Sequence, residues 1–314
     1  MSRADNASAQ RAVEIAVVGA VALDEIHSAA GDVEQQLGGS AVYACLAASL
    51  LAHAAPISVI GDDFDPELLD PLRERSISLE GIVQTEGANF RWGCRYTESG
   101  DQRETLYTHA GVYDSHPIVV SESMLDAPIV LLTAGNPEQN QRALRQLRRK
   151  QLVAIDTIER EVAERTDEFR ELLREADLVS INTLEAAHLI GWRGDLDDPN
   201  LATAAWREIR DLGGRAFALK RASHGVDVFE AERQAHVSAV PEVRVIDPTG
   251  AGDAFIGGLL SAVARGWELA QAARWGCAVA SFAVERFGVA GILRATRETV
   301  EQRLAQVSLA EVAG

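Results

Sequence analysis

The stretch most able to do chemistry is Asp247-Pro248-Thr249-Gly250-Ala251-Gly252-Asp253-Ala254-Phe255, which follows a β-rich segment and opens an apolar helix. Two glycines permit a sharp turn with no side chain in the way. They leave backbone N–H groups pointing outward where the helix begins. Unpaired donors and the positive end of the helix dipole converge at such a terminus, and together they attract an anion such as a phosphoryl group in flight. Asp253, in the first turn, stands beside that anion site; the dipole there should favour its ionised form, ready to take a proton from an attacking hydroxyl. Taken alone, Gly250–Asp253 reads more simply as a turn with an N-capping aspartate. The longer string shifts the balance, because Gly257 and Gly258 suggest a helix packed unusually close to a sheet.

Positioning such a site needs a scaffold, and the chain supplies one. From Glu14 it alternates short apolar runs with amphipathic segments. Strands are predicted at Ile15–Gly19, Ile57–Gly61, Ile129–Thr133, Leu152–Asp156, Leu178–Asn182 and Ala216–Lys220. Helices are predicted at Ser40–Ala52, Pro66–Arg75, Pro137–Lys150, Glu161–Glu175 and Asn200–Leu212. The alternation is that of an α/β, doubly wound, mostly parallel sheet flanked by helices. Two segments break it, about 24–37 and 89–112, the second reading as two strands around Ser99-Gly100-Asp101; they form a small β lid. After a strand pair at Val226–Glu230 and Ala235–Val240 the chain reads as almost wholly helical from Gly252 onward. The expected organisation is a flexible tail over 1–12 and a single domain over 13–314.

Composition narrows the function. A formal net charge of −17 disfavours nucleic acid and anionic membrane as partners, leaving a small molecule. No apolar run is long enough to span a bilayer, and the amino end lacks a secretory core. Cys45, Cys94 and Cys277 have no metal or disulfide spacing and read as small buried hydrophobes, which fits a reducing, cytoplasmic setting. The only lysines are Lys150 and Lys220, and no GxxxxGK[ST] sequence occurs, so a Walker-type loop is excluded. His109, His224 and His236 show no ligand spacing. Arg142, Arg145, Arg148, Arg149 and Lys150 read as a solvated helix face.

The string Asp247–Phe255 resembles the second motif, D-T-x-G-A-G-D, of the ribokinase-like (PfkB) carbohydrate and nucleoside kinases. The resemblance implies ATP-dependent phosphorylation of a hydroxyl, with Asp253 as general base, Gly250, Ala251 and Gly252 forming the anion hole, and Thr249 beside the phosphates. Further matches follow in order along the chain. Asp24, at the end of Gly19-Ala20-Val21-Ala22-Leu23-Asp24, looks like the family's substrate aspartate, and a carboxylate can accept from both hydroxyls of a diol. Gly38-Gly39-Ser40-Ala41-Val42-Tyr43 resembles the di-glycine substrate motif, with Tyr43 where many members have Asn. Asn182-Thr183-Leu184-Glu185 looks like the N-x-x-E motif, in which Glu185 reaches Mg2+ through water; alone it reads as a capping box.

The resemblance also places the nucleotide base beside Lys220–Gly225, where Ala222 replaces a common glycine. The opposite wall falls to Cys277–Phe282 and the Phe287-Gly288 loop. It leaves open a monovalent cation and a homodimer through paired lids. The acceptor is expected to be a small sugar or sugar-like molecule, with a nucleoside, or a catalytically silent metabolite binder of the same fold, as alternatives. One feature bears on that choice: Phe90, Trp92, Cys94 and Tyr96 alternate with Arg91, Gly93 and Arg95, so an aromatic face turned inward suits a nucleobase and a cationic one an acidic sugar.

Overall fold

The computed structural model describes residues 12–97 and 103–312. The predicted tail and the Ser99-Gly100-Asp101 turn therefore fall wholly or largely outside the described residues. The main-sheet strands are β1 (Ile15–Val18), β4 (Ala54–Gly61), β5 (Ile82–Thr85), β8 (Ile129–Leu132), β9 (Leu152–Asp156), β10 (Leu178–Asn182), β11 (Ala216–Lys220), β12 (Val226–Glu230), β13 (Arg233–Val237) and β14 (Leu309–Val312). The remaining four, β2 (Ala22–Ser28), β3 (Gly31–Gly38), β6 (Phe90–Tyr96) and β7 (Arg103–His109), form a separate small sheet.

Among the described residues the main sheet runs β14-β13-β12-β11-β10-β9-β8-β1-β4-β5. It is parallel from β5 through β11 and antiparallel from β12 to β14. Every residue of β1, β4 and β8 is buried, as expected of parallel strands covered on both faces. Two apolar clusters lie on opposite faces. One gathers the helices Ser40–Ala48, Ala251–Val263 and Leu269–Ala283; the other gathers the amphipathic helices between β8 and β11.

The predicted strands all form. The helices depart from expectation where side chains take backbone partners. A single helix over Glu161–Glu175 is instead two, Glu159–Glu164 and Thr166–Leu173. The Thr166 hydroxyl donates to the Val162 carbonyl at 2.6 Å, the acceptor that a continuing helix would give to the Thr166 N–H. The Pro137 helix stops at Gln146, not Lys150, and Lys150 Nζ donates to the Leu144 and Leu147 carbonyls. The end of the chain is not wholly helical, because β14 closes the sheet edge against β13. Three of its four residues are exposed, so it shows no alternation to read.

In the small sheet, ordered β3-β2-β6-β7, β2 and β6 run parallel while the outer pairs are antiparallel. Ile26, Trp92, Cys94 and Tyr96 form its own apolar cluster, against which Phe287 of the main body packs. All three cysteines are free and buried. The arginine-rich helix face is solvated and paired with acids, Arg142 with Glu138 and, just beyond the helix, Arg148 with Glu122 and Arg149 with Asp126.

The close packing announced by Gly257 and Gly258 is against helices and not against the sheet. A Cβ at Gly257 would lie 2.3 Å from the Ala44 carbonyl oxygen, and one at Gly258 3.2 Å from the Gly276 Cα. Gly257→Ala should therefore force the Ser40 and Ala251 helices apart and lower stability by about 1–3 kcal/mol, the scale of overpacking. Urea unfolding checks this, with a lower midpoint at unchanged slope as the expected result.

Candidate active site

The Ala251–Val263 helix begins at the carboxyl edge of the sheet, its N-cap Gly250 in the left-handed region at φ 75° and ψ 0°. Glycine is required there twice over, since a Cβ would also strike the Tyr43 ring at 2.4 Å. No side chain caps this helix. The simple alternative of an N-capping aspartate is thus not what forms: Asp253 lies in the first turn, facing the cleft, and although the Ala251 N–H donates to the Pro248 carbonyl at 3.2 Å, no side chain occupies the terminus, which stays open to an anion. Gly252 has ordinary helical geometry; what it supplies is space, because its Cβ would sit 3.0 Å from Lys220 Nζ.

Burial controls the carboxylates around this turn. Asp253 has its proton affinity raised, to about 7, first by loss of water and then by Asp156, with Lys220 and Arg103 opposing. The expectation that the helix terminus would hold Asp253 in its ordinary ionised range is corrected, because desolvation outweighs the favourable backbone contribution. Asp24, 4% exposed, is pushed up to about 8 by burial and by Asp247, against a hydrogen bond from the Gly39 N–H. The Gly38-Gly39 pair serves this arrangement directly. A Cβ at Gly38 would fall on the Asp24 carboxylate, and Gly39, at φ 94°, lies against the Ala20 carbonyl, where a Cβ would come within 2.3 Å.

On the other side of the anion turn, Asn182 and Glu185 form a complete capping box. Asn182 Oδ1 accepts from the Glu185 N–H at 2.9 Å, and Glu185 accepts from the Asn182 N–H at 2.8 Å and from its Nδ2 at 2.7 Å. Burial raises the proton affinity of Glu185, with Lys220 opposing. Lys220 Nζ donates to both oxygens of Asp156, at 2.6 and 2.8 Å, which holds the ammonium beside Gly252. The sequence reading missed Asp156. Its signal is position, at the carboxyl end of a parallel strand, where ligands of open α/β sheets bind. Gly225 takes φ 89° where a Cβ would strike the Val237 carbonyl at 2.0 Å, and Ala222 takes φ 49° in the place of the common glycine.

These residues face one cleft of about 1000 Å³. It runs from Asp24, Gly39 and Tyr43 past the anion turn to Asn182, Glu185, Lys220 and Gly225, and its far wall includes Cys277 and Ala280. Gly38 lies behind Asp24. Phe287 and Gly288 are displaced from the expected wall and pack on the small sheet near Gly31 and Gln36. The small sheet covers the cleft with its aromatic face, Phe90, Trp92 and Tyr96, joined by Arg103, Thr105 and Thr108 of β7. Arg91 and Arg95 pair with Asp63 and Glu104 away from it. Tyr96 Oη lies 3.0 Å from Thr249 Oγ1, so this sheet touches the anion turn. Nothing in the sequence announced that contact, since it joins residues 153 positions apart.

The mostly parallel sheet, its flanking helices and the glycine-bounded helix terminus at its carboxyl edge define a ribokinase-like fold. The family model described as pfkB family carbohydrate kinase matches residues 8–295, and the chain belongs to that family. It is a phosphotransferase with an alcohol group as acceptor. Among curated relatives, a cytidine kinase of Thermococcus kodakarensis is 27% identical over 282 residues, covering 88% of this chain and 98% of the relative. A nucleoside kinase of Methanocaldococcus jannaschii is 23% identical over 256 residues, covering 80% of each chain. Among solved structures, an Arabidopsis thaliana ribokinase complexed with ribose and ATP superposes with TM-score 0.76 at 21% identity, covering 94% of this chain and 99% of that one. A Burkholderia thailandensis nucleoside kinase in complex with inosine superposes with TM-score 0.73 at 19% identity, covering 92% and 96%.

Asp156 is buried and Lys220 is mostly withdrawn from solvent, so removing one partner strands a charge. Asp156→Ala should cost about 3–5 kcal/mol, whereas Asp156→Leu combined with Lys220→Met should cost less than either single change. Denaturant unfolding of the set checks this, and strict additivity would contradict it.

Proposed function

We propose that this kinase transfers the γ-phosphoryl group of ATP to a hydroxyl of a nucleoside. The observation that carries the acceptor is the inward aromatic face of β6 above Asp24. Asp24 accepts the ribose diol while Phe90 and Trp92 offer π-faces to the base. A free sugar would engage Asp24 and leave those rings unfilled. The named activities of the cytidine and nucleoside kinases support the same reading.

Transfer is mostly positioning and charge neutralisation. The acceptor oxygen forms a bond to the γ-phosphorus as the bond to the β,γ-bridging oxygen breaks, with that electron pair leaving on ADP. The hydroxyl proton passes to the Asp253 carboxylate. The N–H groups at Gly250–Asp253 receive the oxygens of the moving group, with Thr249 and Lys220 beside them. Asn182, Lys220 and Gly225 border the ATP side of the cleft, and Tyr43 backs the anion turn between the two substrates. The described residues contain no group of three or more acidic, His or Cys side chains able to cage a metal. Glu185, with both oxygens already accepting from Asn182, fits an outer position reached through water. Mg2+ held there with ATP would supply neutralisation of the triphosphate. Lid closure over the cleft would exclude water from the transfer.

Asp253→Asn should lower kcat by at least ~10²-fold with nucleotide binding retained, as expected for loss of a general base. Steady-state turnover and ATP titration of the purified variant check it; unchanged turnover would refute the assignment. Asp253 and Asp24 titrate near 7 and 8 and act as acceptors when ionised, so kcat/KM should rise with pH through that interval. An acid limb near the ordinary carboxylate value of about 4 would contradict the role of burial.

A further inference from the structure

Two hydroxyls meet at the floor of the cleft on its Asp24 side. Ser40, first residue of its helix, and Thr133, just past β8, lie 2.6 Å apart. They are 8% and 1% exposed, and of the two only Ser40 lines the cleft. Gly19 keeps the space for them, since a Cβ there would strike Thr133 Oγ1 and lie 2.7 Å from Ser40 Oγ. Asn140 Nδ2 donates to the Thr133 carbonyl at 3.0 Å and fixes the strand end that carries the pair. Ser40 also follows Gly39, whose N–H binds the Asp24 carboxylate, so it stands next to the group that receives the acceptor.

One carbonyl orders the protons. Thr133 Oγ1 lies 2.9 Å from the Val18 carbonyl oxygen, which can only accept, so the Thr133 hydroxyl gives its proton there. It has no second proton and must therefore accept from Ser40. Ser40 spends its own proton inside the protein and turns only lone pairs to the cleft. On a ribonucleoside bound as described above, Asp24 takes the protons of the diol and Asp253 that of the reacting hydroxyl. The donors that remain belong to the base.

We propose that Ser40 is a specificity-determining residue that accepts a hydrogen bond from an exocyclic amino group of the acceptor's base, and that Thr133 is the positioning residue that keeps Ser40 an acceptor. This rests on the nucleoside reading above. An amino group brings two hydrogens to the edge of a base, whereas a ring N–H of uracil or hypoxanthine is flanked by carbonyl oxygen that would face the Ser40 lone pairs. A base without the amino group leaves a buried acceptor unpaired, and a site built around a hydrogen bond discriminates strongly against such an analogue. The diol contacts at Asp24 cannot supply this selection, because every ribonucleoside carries them.

The test uses ribonucleosides matched in pairs that differ by one amino group: cytidine with pyrimidin-2-one riboside, adenosine with purine riboside, and guanosine with inosine. Each is phosphorylated with Mg·ATP by the full chain as wild type, Ser40→Ala, Thr133→Val and Thr133→Ser. The wild type should favour the amino-bearing member of at least one pair by ~10-fold or more in kcat/KM. That preference should fall to within about threefold in Ser40→Ala, which lacks the acceptor, and in Thr133→Val, which frees the Ser40 proton for the cleft. Thr133→Ser keeps the hydroxyl and should retain the preference. Each preference is a ratio within one protein, so a variant that folds poorly cannot imitate the result. A preference absent from the wild type, or unchanged in Ser40→Ala or Thr133→Val, would overturn the proposal and leave the hydroxyl pair as a tie between helix and sheet, with the nucleoside reading intact. Turnover of free ribose and of no nucleoside would overturn that reading and this proposal with it.

Discussion

The site depends on one helix terminus that no side chain caps, the one that begins at Gly250. Asn136, Asp198 and Thr296 each accept from the N–H groups of the helices they begin. Gly250 does not and cannot, and its left-handed backbone lies flat on the Tyr43 ring, so the turn has a solid floor where a flexible loop would otherwise be. That constraint propagates outward. Tyr43 must be buried on the Ser40–Ala48 helix, which must lie close enough to the Ala251–Val263 helix for Gly257 to meet Ala44 backbone. The free donors are therefore bought by glycine packing two turns further along the same helix.

Electrostatics set the second condition. Asp24, Asp156, Glu185 and Asp253 share a cleft from which the main body and the small sheet remove water, so each carboxylate repels the others through a poor screen. Lys220 offsets part of that field but is shared with Asp156. Burial raises the proton affinities of Asp24, Glu185 and Asp253 toward the working pH of a base.

Much of this was legible in the residues. The strand–helix alternation gives the parallel sheet because buried parallel strands are continuous apolar runs, and Ile15–Val18 and Ile129–Leu132 are such runs. The string Asp247–Phe255 locates the anion turn because only glycine tolerates its geometry. What the sequence conceals are contacts between distant segments. Asp156 is an unremarkable strand-ending aspartate until Lys220, 64 residues later, reaches it. The inward choice between the aromatic and cationic faces of β6 is fixed by the parallel pairing of β2 with β6, a pairing that no local pattern specifies. The direction of the Asp253 shift was likewise hidden, since a local dipole is visible in sequence and burial by distant segments is not.

The central claim is that a nucleoside, held by Asp24 and the aromatic lid face, receives the phosphoryl group at the turn beside Asp253. The most direct measurement compares kcat/KM for ADP release with Mg·ATP on ribonucleosides and on free ribose. The account predicts a preference for at least one nucleoside of ~10-fold or more, the contribution expected of one base stacked on aromatic side chains. Free ribose phosphorylated as well as every nucleoside would contradict it and return the acceptor to the simple sugars.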